Sequence, residues 1–175
     1  MTCGAGPQII VTMKHLDGRA GAVVSAPMAT CFSLLAEVER YPDWSGEFIR
    51  AVTVLDRDAG GLPVRAHVIV HVAHSPFGKT FEFDAAVRAR ALRAVDLSRL
   101  PTGPSDTERF LLSWSLSDDP HGTRIALEFA AAVSFLPALL PLPGVGDLIA
   151  GTLLDAAVRE LGGSSAPAPG APSSV

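Results

Sequence analysis

A chain of 175 residues that is 48% hydrophobic, 18% charged and 6% aromatic has the balance of a folded domain and excludes a disordered tail protein. At that length folding buries roughly 68 to 70% of the surface the unfolded chain exposes, enough for one core that can hold a cavity without disulfide staples. Acids outnumber bases, 18 against 14, for a formal charge of -4; no Lys/Arg run follows a phosphate backbone, which excludes nucleic acid as a partner.

In chain order, residues 1–18 read as an N-terminal arm, with Ile9–Met13 β-branched enough for one extra strand. No basic start followed by an apolar stretch marks a secretory signal. Cys3 lies in a Gly-rich start, and Cys31 reads as a small buried hydrophobe in an apolar helical pattern. Both fit a reducing cytoplasm. The folded body is expected over 19–161. It opens with a strand at Arg19–Ser25, and Pro27 then starts a helix to about Glu37, since the first helical turn tolerates the missing amide. Met28, Cys31, Phe32, Leu34 and Leu35 form its apolar stripe. A second short helix or turn carries Tyr41, Pro42 and Trp44. The period then changes to two, and strands are predicted at about 48–56, 64–74, 80–91, 94–100, 107–117 and from Thr123 to about Phe135.

Pro137–Gly146 is greasy and glycine-flanked, and reads as a mobile apolar portal loop, with a membrane-touching or homodimer-forming loop as the rival. The longest apolar stretch, Ile125–Leu142, contains Glu128, Pro137 and Pro141 and fails as a transmembrane segment. A helix from about Asp147 to Leu161 closes the body. Asp147 is placed to cap it, Asp155 and Arg159 to pair at i, i+4, and Gly162 to stop it. Residues 162–175 are Gly, Ser, Ala, Pro and one Val, a composition for a disordered tail.

Strand, two short helices, six-strand meander and terminal helix, with no βαβ crossover, give an α+β architecture. The expectation is a seven-stranded curved antiparallel sheet wrapped around a long C-terminal helix. Alternation sets the register, because a one-residue slip exchanges the faces. Glu82, Asp84, Arg88 and Arg90 share one face of the fourth strand, so Phe81, Phe83, Ala85, Val87 and Ala89 face inward. The same test turns Ala66, Val68, Val70 and Val72 inward, with Phe110, Leu112, Trp114 and Leu116, and with Ile125, Leu127, Phe129 and Ala131. A helix whose inner residues are largely small, Gly151 and Ala157 among them, fills such a trough incompletely. Val68, Val70, Val72, Phe81, Phe83, Leu112, Trp114, Leu127 and Phe129, with Gly151 and Leu154 from the helix, are therefore the expected lining of a cavity for a hydrophobic small molecule.

Few groups in this pattern can do chemistry. His67, His71 and His74 would share a face only on a helix; their β-branched surroundings argue strand, which turns His67 and His71 outward and His74 to the other face and excludes a three-His metal site. His74, beside the Ser75-Pro76 turn, is the candidate acid or base at the cavity rim. Tyr41 and Trp44 bring a phenol and an indole to the helix pair expected to close one end of the trough, where they can stack on a flat ligand and donate a hydrogen bond each. Trp114 needs a partner for its N–H. Gly144 and Gly146 are not followed by a third glycine, because residue 149 is Ile, and no nucleophile elbow, Cys-x-x-Cys pair or phosphate loop is present. No metal or cofactor is expected.

Val24, Ser25, Ala26 and Pro27, then Phe32, Leu35 and Glu37, then Tyr41-Pro42-Asp43-Trp44 resemble the opening of the START-like (SRPBCC, helix-grip) superfamily, in particular its polyketide cyclase/dehydratase branch, over about residues 19–161. The chain departs from that pattern at Glu37, where Asp is commoner, and in its Pro-rich 137–146 link. The resemblance implies a helix-grip fold with a deep hydrophobic cavity under the terminal helix, and it carries over no catalytic signature. Two functions stand open. One is a cyclase/dehydratase-like enzyme that folds a largely apolar chain, with His74 and Tyr41 as its acid–base groups. The other is a non-catalytic carrier of a lipid, quinone or polyketide, favoured by the shortage of inward ionisable residues. Two or more polar groups converging deep in the cavity would favour the enzyme.

Overall fold

Period-two alternation runs through most of the chain, and the computed structural model, which describes residues 13–74, 77–134 and 143–162 without the side chains of His74 and Phe77, resolves it into seven strands. These are β1 (Lys14–Val24), β2 (Ile49–Arg57), β3 (Pro63–His74), β4 (Phe77–Arg90), β5 (Ala94–Arg99), β6 (Arg109–Asp119) and β7 (Gly122–Val133). The helices are α1 (Met28–Ala36), α2 (Tyr41–Trp44), reached through a 3-10 turn at Val38–Arg40, and α3 (Val145–Glu160). The arm at residues 9–12, the Ser75-Pro76 turn, residues 137–142 of the apolar link and the tail from 163 onward lie outside the described residues.

The strands form one antiparallel sheet in the order β1-β7-β6-β5-β4-β3-β2. From β2 to β7 each strand pairs with the next in the chain, while β1 pairs with β7, so α1 and α2 carry the chain from one edge of the sheet to the other. Val68 pairs with Phe83, Leu97 with Val87, and Phe129 with Leu112, all of them on the inner face. The core lies between that face and the apolar sides of α1 (Cys31, Leu34, Leu35) and α3 (Ala150, Leu153, Leu154, Ala157, Val158). This is the helix-grip architecture. Among the described residues no helix is long and apolar enough to cross a membrane.

Several element details differ from the sequence reading. β1 begins at Lys14 rather than Arg19. Leu16 continues its inward set, but Gly18 has no side chain to mark the alternation. α3 begins at Val145, two residues before the expected start, with Gly144 at φ 80° ahead of it and no side-chain cap. Asp147 Oδ1 instead accepts the backbone N–H of Arg19 at 3.0 Å, which satisfies one donor on the free edge of β1. This reach depends on contact between two glycines: a Cβ on Gly18 would overlap the Gly146 carbonyl, and one on Gly146 the backbone of Asp17. Asp155 and Arg159 form no ion pair, and Arg159 turns instead to a cleft beside α3.

On the convex face, His67 sits between Asp84 Oδ1 at 2.9 Å and Glu82 Oε1 at 2.8 Å, and Arg65 meets Asp84 Oδ2 at 2.7 Å. The hydrogen bond to Asp84, then that to Glu82, raises the His67 pKa, while His67 and then Arg65 lower that of Asp84. A raised imidazole pKa stabilises the fold below its ordinary value near 6.5, and that part is lost as pH rises through the folded-state value. The Asp84 part is present above the ordinary carboxylate range and lost as pH falls through the lowered value. The cluster therefore contributes most between about pH 4 and 6.5. These groups are exposed enough to be screened, so raising the pH from 6 to 8.5 should lower the melting temperature by only about 1 to 2 °C through His67. Thermal melts of His67→Gln should lack that slope, and an unchanged slope would show that the cluster does not couple to folding.

Candidate functional site

At one end of the curved sheet the inward residues stop short of one another and leave a cavity of about 90 Å³. Its walls are Val70 and Val72 of β3, Phe81 and Phe83 of β4, Phe110 of β6, Phe129, Ala131 and Val133 of β7, Leu16 of β1, and Phe48 from the turn before β2. The rings interlock. Phe83 and Phe110 have centroids 4.9 Å apart, Phe110 and Phe129 5.7 Å, and Phe48 lies 6.0 Å from Phe129 and 6.5 Å from Phe110. A pocket for a small organic ligand is usually roughly 300 Å³ or more, so one of that size enters only as these rings turn aside.

The polar groups of the lining are Glu82, Arg99, Glu108 and Arg109, and two of them converge. Arg99 ends β5 with its side chain only 12% exposed, and Glu108, 25% exposed, immediately precedes β6. Arg99 Nη1 bonds Asp106 Oδ2 at 2.7 Å and the Glu108 carbonyl at 3.0 Å, while Nη2 lies 3.6 Å from Glu108 Oε2. Ser134 Oγ donates to Glu108 Oε1 at 2.7 Å. Asp106 accepts the Thr102 N–H at 2.8 Å, its hydroxyl at 2.9 Å and the Glu108 N–H at 3.1 Å. The Thr102 amide above all, then its hydroxyl and Arg99, holds the Asp106 carboxyl well below the usual range against the opposing effect of burial.

Asp106 is thus fully committed and fixes Arg99. Glu108 Oε2 stands too far from Arg99 for a good hydrogen bond and keeps capacity for another partner. A fixed cation beside a carboxylate, at the end of an apolar cavity, can hold a carbonyl or hydroxyl oxygen and exchange a proton with it. Sequence reasoning missed this pair although the signal was present. One further step of two along Val95 and Leu97 reaches Arg99, and one step back from Phe110 reaches Glu108; the inward sets ended where apolar residues ended, not where the strands did.

Val70, Val72, Phe81, Phe83 and Phe129 of the expected lining do line the cavity. Val68, Leu112, Trp114, Leu127 and Leu154 are buried in the packed core beyond it. Gly151 lies on α3 away from the lining, and a Cβ there meets nothing within 4 Å. His74 is the last residue of β3 and pairs with Phe77; its side chain is outside the described residues.

Tyr41 and Trp44 do not border the cavity. They pack with Trp114, at centroid distances of 4.8 Å for Tyr41–Trp44 and 6.2 Å for Trp44–Trp114. A strand rises about 3.4 Å per residue, so Trp114, four residues past Phe110 on β6, lies about 14 Å along the sheet from the Phe110 wall. The Tyr41 hydroxyl donates to the Leu35 carbonyl at 2.6 Å, tying the end of α1 to α2. Complete burial pushes its pKa far above the ordinary value, only partly offset by the nearby Trp114 indole. Neither Trp44 nor Trp114 Nε1 has an acceptor in hydrogen-bond geometry among the described residues. Tyr41→Phe should cost about 1 to 2 kcal/mol in urea unfolding, by orphaning the Leu35 carbonyl, and leave ligand affinity within about twofold. A large loss of affinity with normal stability would place the phenol in the site.

The family model described as polyketide cyclase/dehydrase and lipid transport matches residues 24–158. Among solved structures, a START superfamily protein from Mycobacterium smegmatis is similar at a TM-score of 0.56 and 20% identity, covering 84% of this chain and 92% of that one. A STAR-related lipid transfer protein from Xanthomonas axonopodis is similar at 0.57 and 14%, covering 82% and 84%. The di-domain ARO/CYC StfQ of the steffimycin biosynthetic pathway is similar at 0.50 and 15%, covering 84% of this chain and 45% of its own. At such identities the likeness concerns the fold. No protein of curated function matches. With three quarters of its length matched by one family model and a START-like helix-grip sheet around its terminal helix, the chain belongs to the polyketide cyclase/dehydrase and lipid transport family.

Proposed function

We propose that the protein takes up a largely apolar small molecule of polyketide type, seats its polar end against Arg99 and Glu108, and directs its cyclisation and loss of water. The observation that carries this reading is the Arg99–Glu108 pair at one end of a mostly apolar cavity. The phenylalanine walls would hold one conformer of a flexible chain and exclude water, which can supply much of the barrier reduction. Glu108 would take a proton from the carbon between two carbonyls. The resulting enolate carbon attacks a second carbonyl, whose oxygen, stabilised by Arg99, takes up a proton; elimination of that hydroxyl with a neighbouring proton gives the ring and water. His74, at the end of β3, is the candidate second acid–base group.

The carrier reading keeps one argument: apart from Glu82, Arg99, Glu108 and Arg109 every residue of the lining is apolar, as storage of a lipid or quinone requires. The two readings separate when a poly-β-ketone generated in situ is offered to the protein and products are followed by mass spectrometry. The enzyme reading expects one cyclised product to be enriched, and Glu108→Gln to lower that enrichment about 100-fold with affinity for 1-anilinonaphthalene-8-sulfonate changed less than about threefold. Binding by wild type without any change in product distribution would leave the carrier.

A further inference from the structure

A second cleft, of about 260 Å³, lies between α3, the α2–β2 turn and the end of β3, with Val145, Ile149 and Ala156 of α3 on one side. Phe48 and Val72 line both this cleft and the cavity described above. Val72 is held in the ladder opposite Lys79. Phe48 is different, because it sits in the turn between α2 and β2, two residues after Gly46 at φ 71°, and is only partly buried. Its carbonyl accepts the His71 N–H at 2.7 Å, which anchors its backbone, so a rearrangement here falls to the ring. That ring rests on Phe110 and Phe129 across the cavity at centroid distances of 6.5 and 6.0 Å. Neither space alone reaches the roughly 300 Å³ of a usual small-molecule pocket, and the two joined do.

From this geometry we infer that the two spaces are halves of one binding channel divided by the Phe48 ring, so that Phe48 sets the length of the ligand. A short apolar chain fills the inner half and stops at the ring. A longer one displaces the ring and runs on between α3 and β3, along Val145, Ile149 and Ala156. The inference rests on the reading of the inner cavity as a binding site.

Saturated fatty acids from hexanoate to hexadecanoate, titrated calorimetrically into wild type and Phe48→Ala, test it. Opening the divider should strengthen hexadecanoate binding at least tenfold and change hexanoate less than about threefold, and Phe48→Trp should weaken the long acids selectively. Should Phe48→Ala lose its cooperative melt, Phe48→Leu, smaller yet apolar, is expected to shift the length profile the same way. Equal changes at every length, or none, would overturn the inference alone. No binding of any acid by any of these proteins would contradict the cavity reading and the inference with it.

Discussion

Gly146→Ala is expected to destabilise the protein by about 3 kcal/mol, which for a chain of this size lowers the melting temperature by about 6 to 12 °C. The added methyl has nowhere to go. It would overlap the backbone of Asp17, and neither the β1 edge nor the first turn of α3 can yield without breaking the hydrogen bond from the Arg19 N–H to Asp147. The control lies five residues further along the same helix. At Gly151 a Cβ meets nothing within 4 Å, so Gly151→Ala should stabilise by about 0.5 to 1 kcal/mol, as alanine does in a helix interior. Parallel urea titrations give both signs in one experiment. Equal effects at the two positions would mean that the crossing of α3 over β1 is not as close as described.

Arg99→Met is expected to have the second large effect, on stability and on binding together. The substitution keeps the apolar stem and removes the charge that faces Asp106 and Glu108 at 2.7 and 3.6 Å. Breaking such a pair from one side is destabilising, because the remaining carboxylates lose their counterion. The sign with pH follows. Asp106, with its lowered pKa, contributes stability above the ordinary carboxylate range that is lost as pH falls below it. Arg99 supplies part of that lowering, after the Thr102 amide and hydroxyl, so the gap between variant and wild type should hold from pH 7 to about pH 4.5 and narrow as pH falls below about 4. A gap still constant below about pH 4 would assign the loss to packing of the stem rather than to the charge. Affinity for an anionic apolar probe should fall at least tenfold at pH 7 under conditions where the variant is folded.

The sheet and its inner face were legible in the sequence because charged and apolar residues alternate cleanly in β4, where Glu82, Asp84 and Arg88 oppose Phe81, Phe83 and Val87. Burial of one face leaves a strand no other register. Where a strand carries little side-chain contrast the signal fades, as at Gly18 in β1. Pattern also misreads polar residues that share the inward parity. Arg99 and Glu108 look like solvent-facing strand ends until the β5–β6 connection folds back and Asp106, through Thr102, fixes them. Tyr41 and Trp44 illustrate a different limit. Their proximity to Trp114 depends on the 3-10 turn between α1 and α2, and which end of the sheet that turn reaches is not written in local spacing. Asp147 reads as a cap for α3, but it lies inside the first turn and its carboxylate serves a strand 128 residues away in sequence.

The central claim, a site walled by Val70, Val72, Phe129, Ala131 and Val133 and closed at one end by Arg99 and Glu108, is tested most directly by following methyl resonances as 1-anilinonaphthalene-8-sulfonate is added. The account predicts saturable shifts concentrated at Val70, Val72, Ala131 and Val133, largely abolished in Arg99→Met, with the core methyls of Val68, Leu112 and Leu127 little moved. Saturable shifts confined to the convex face, or the same shifts in Arg99→Met, would contradict it.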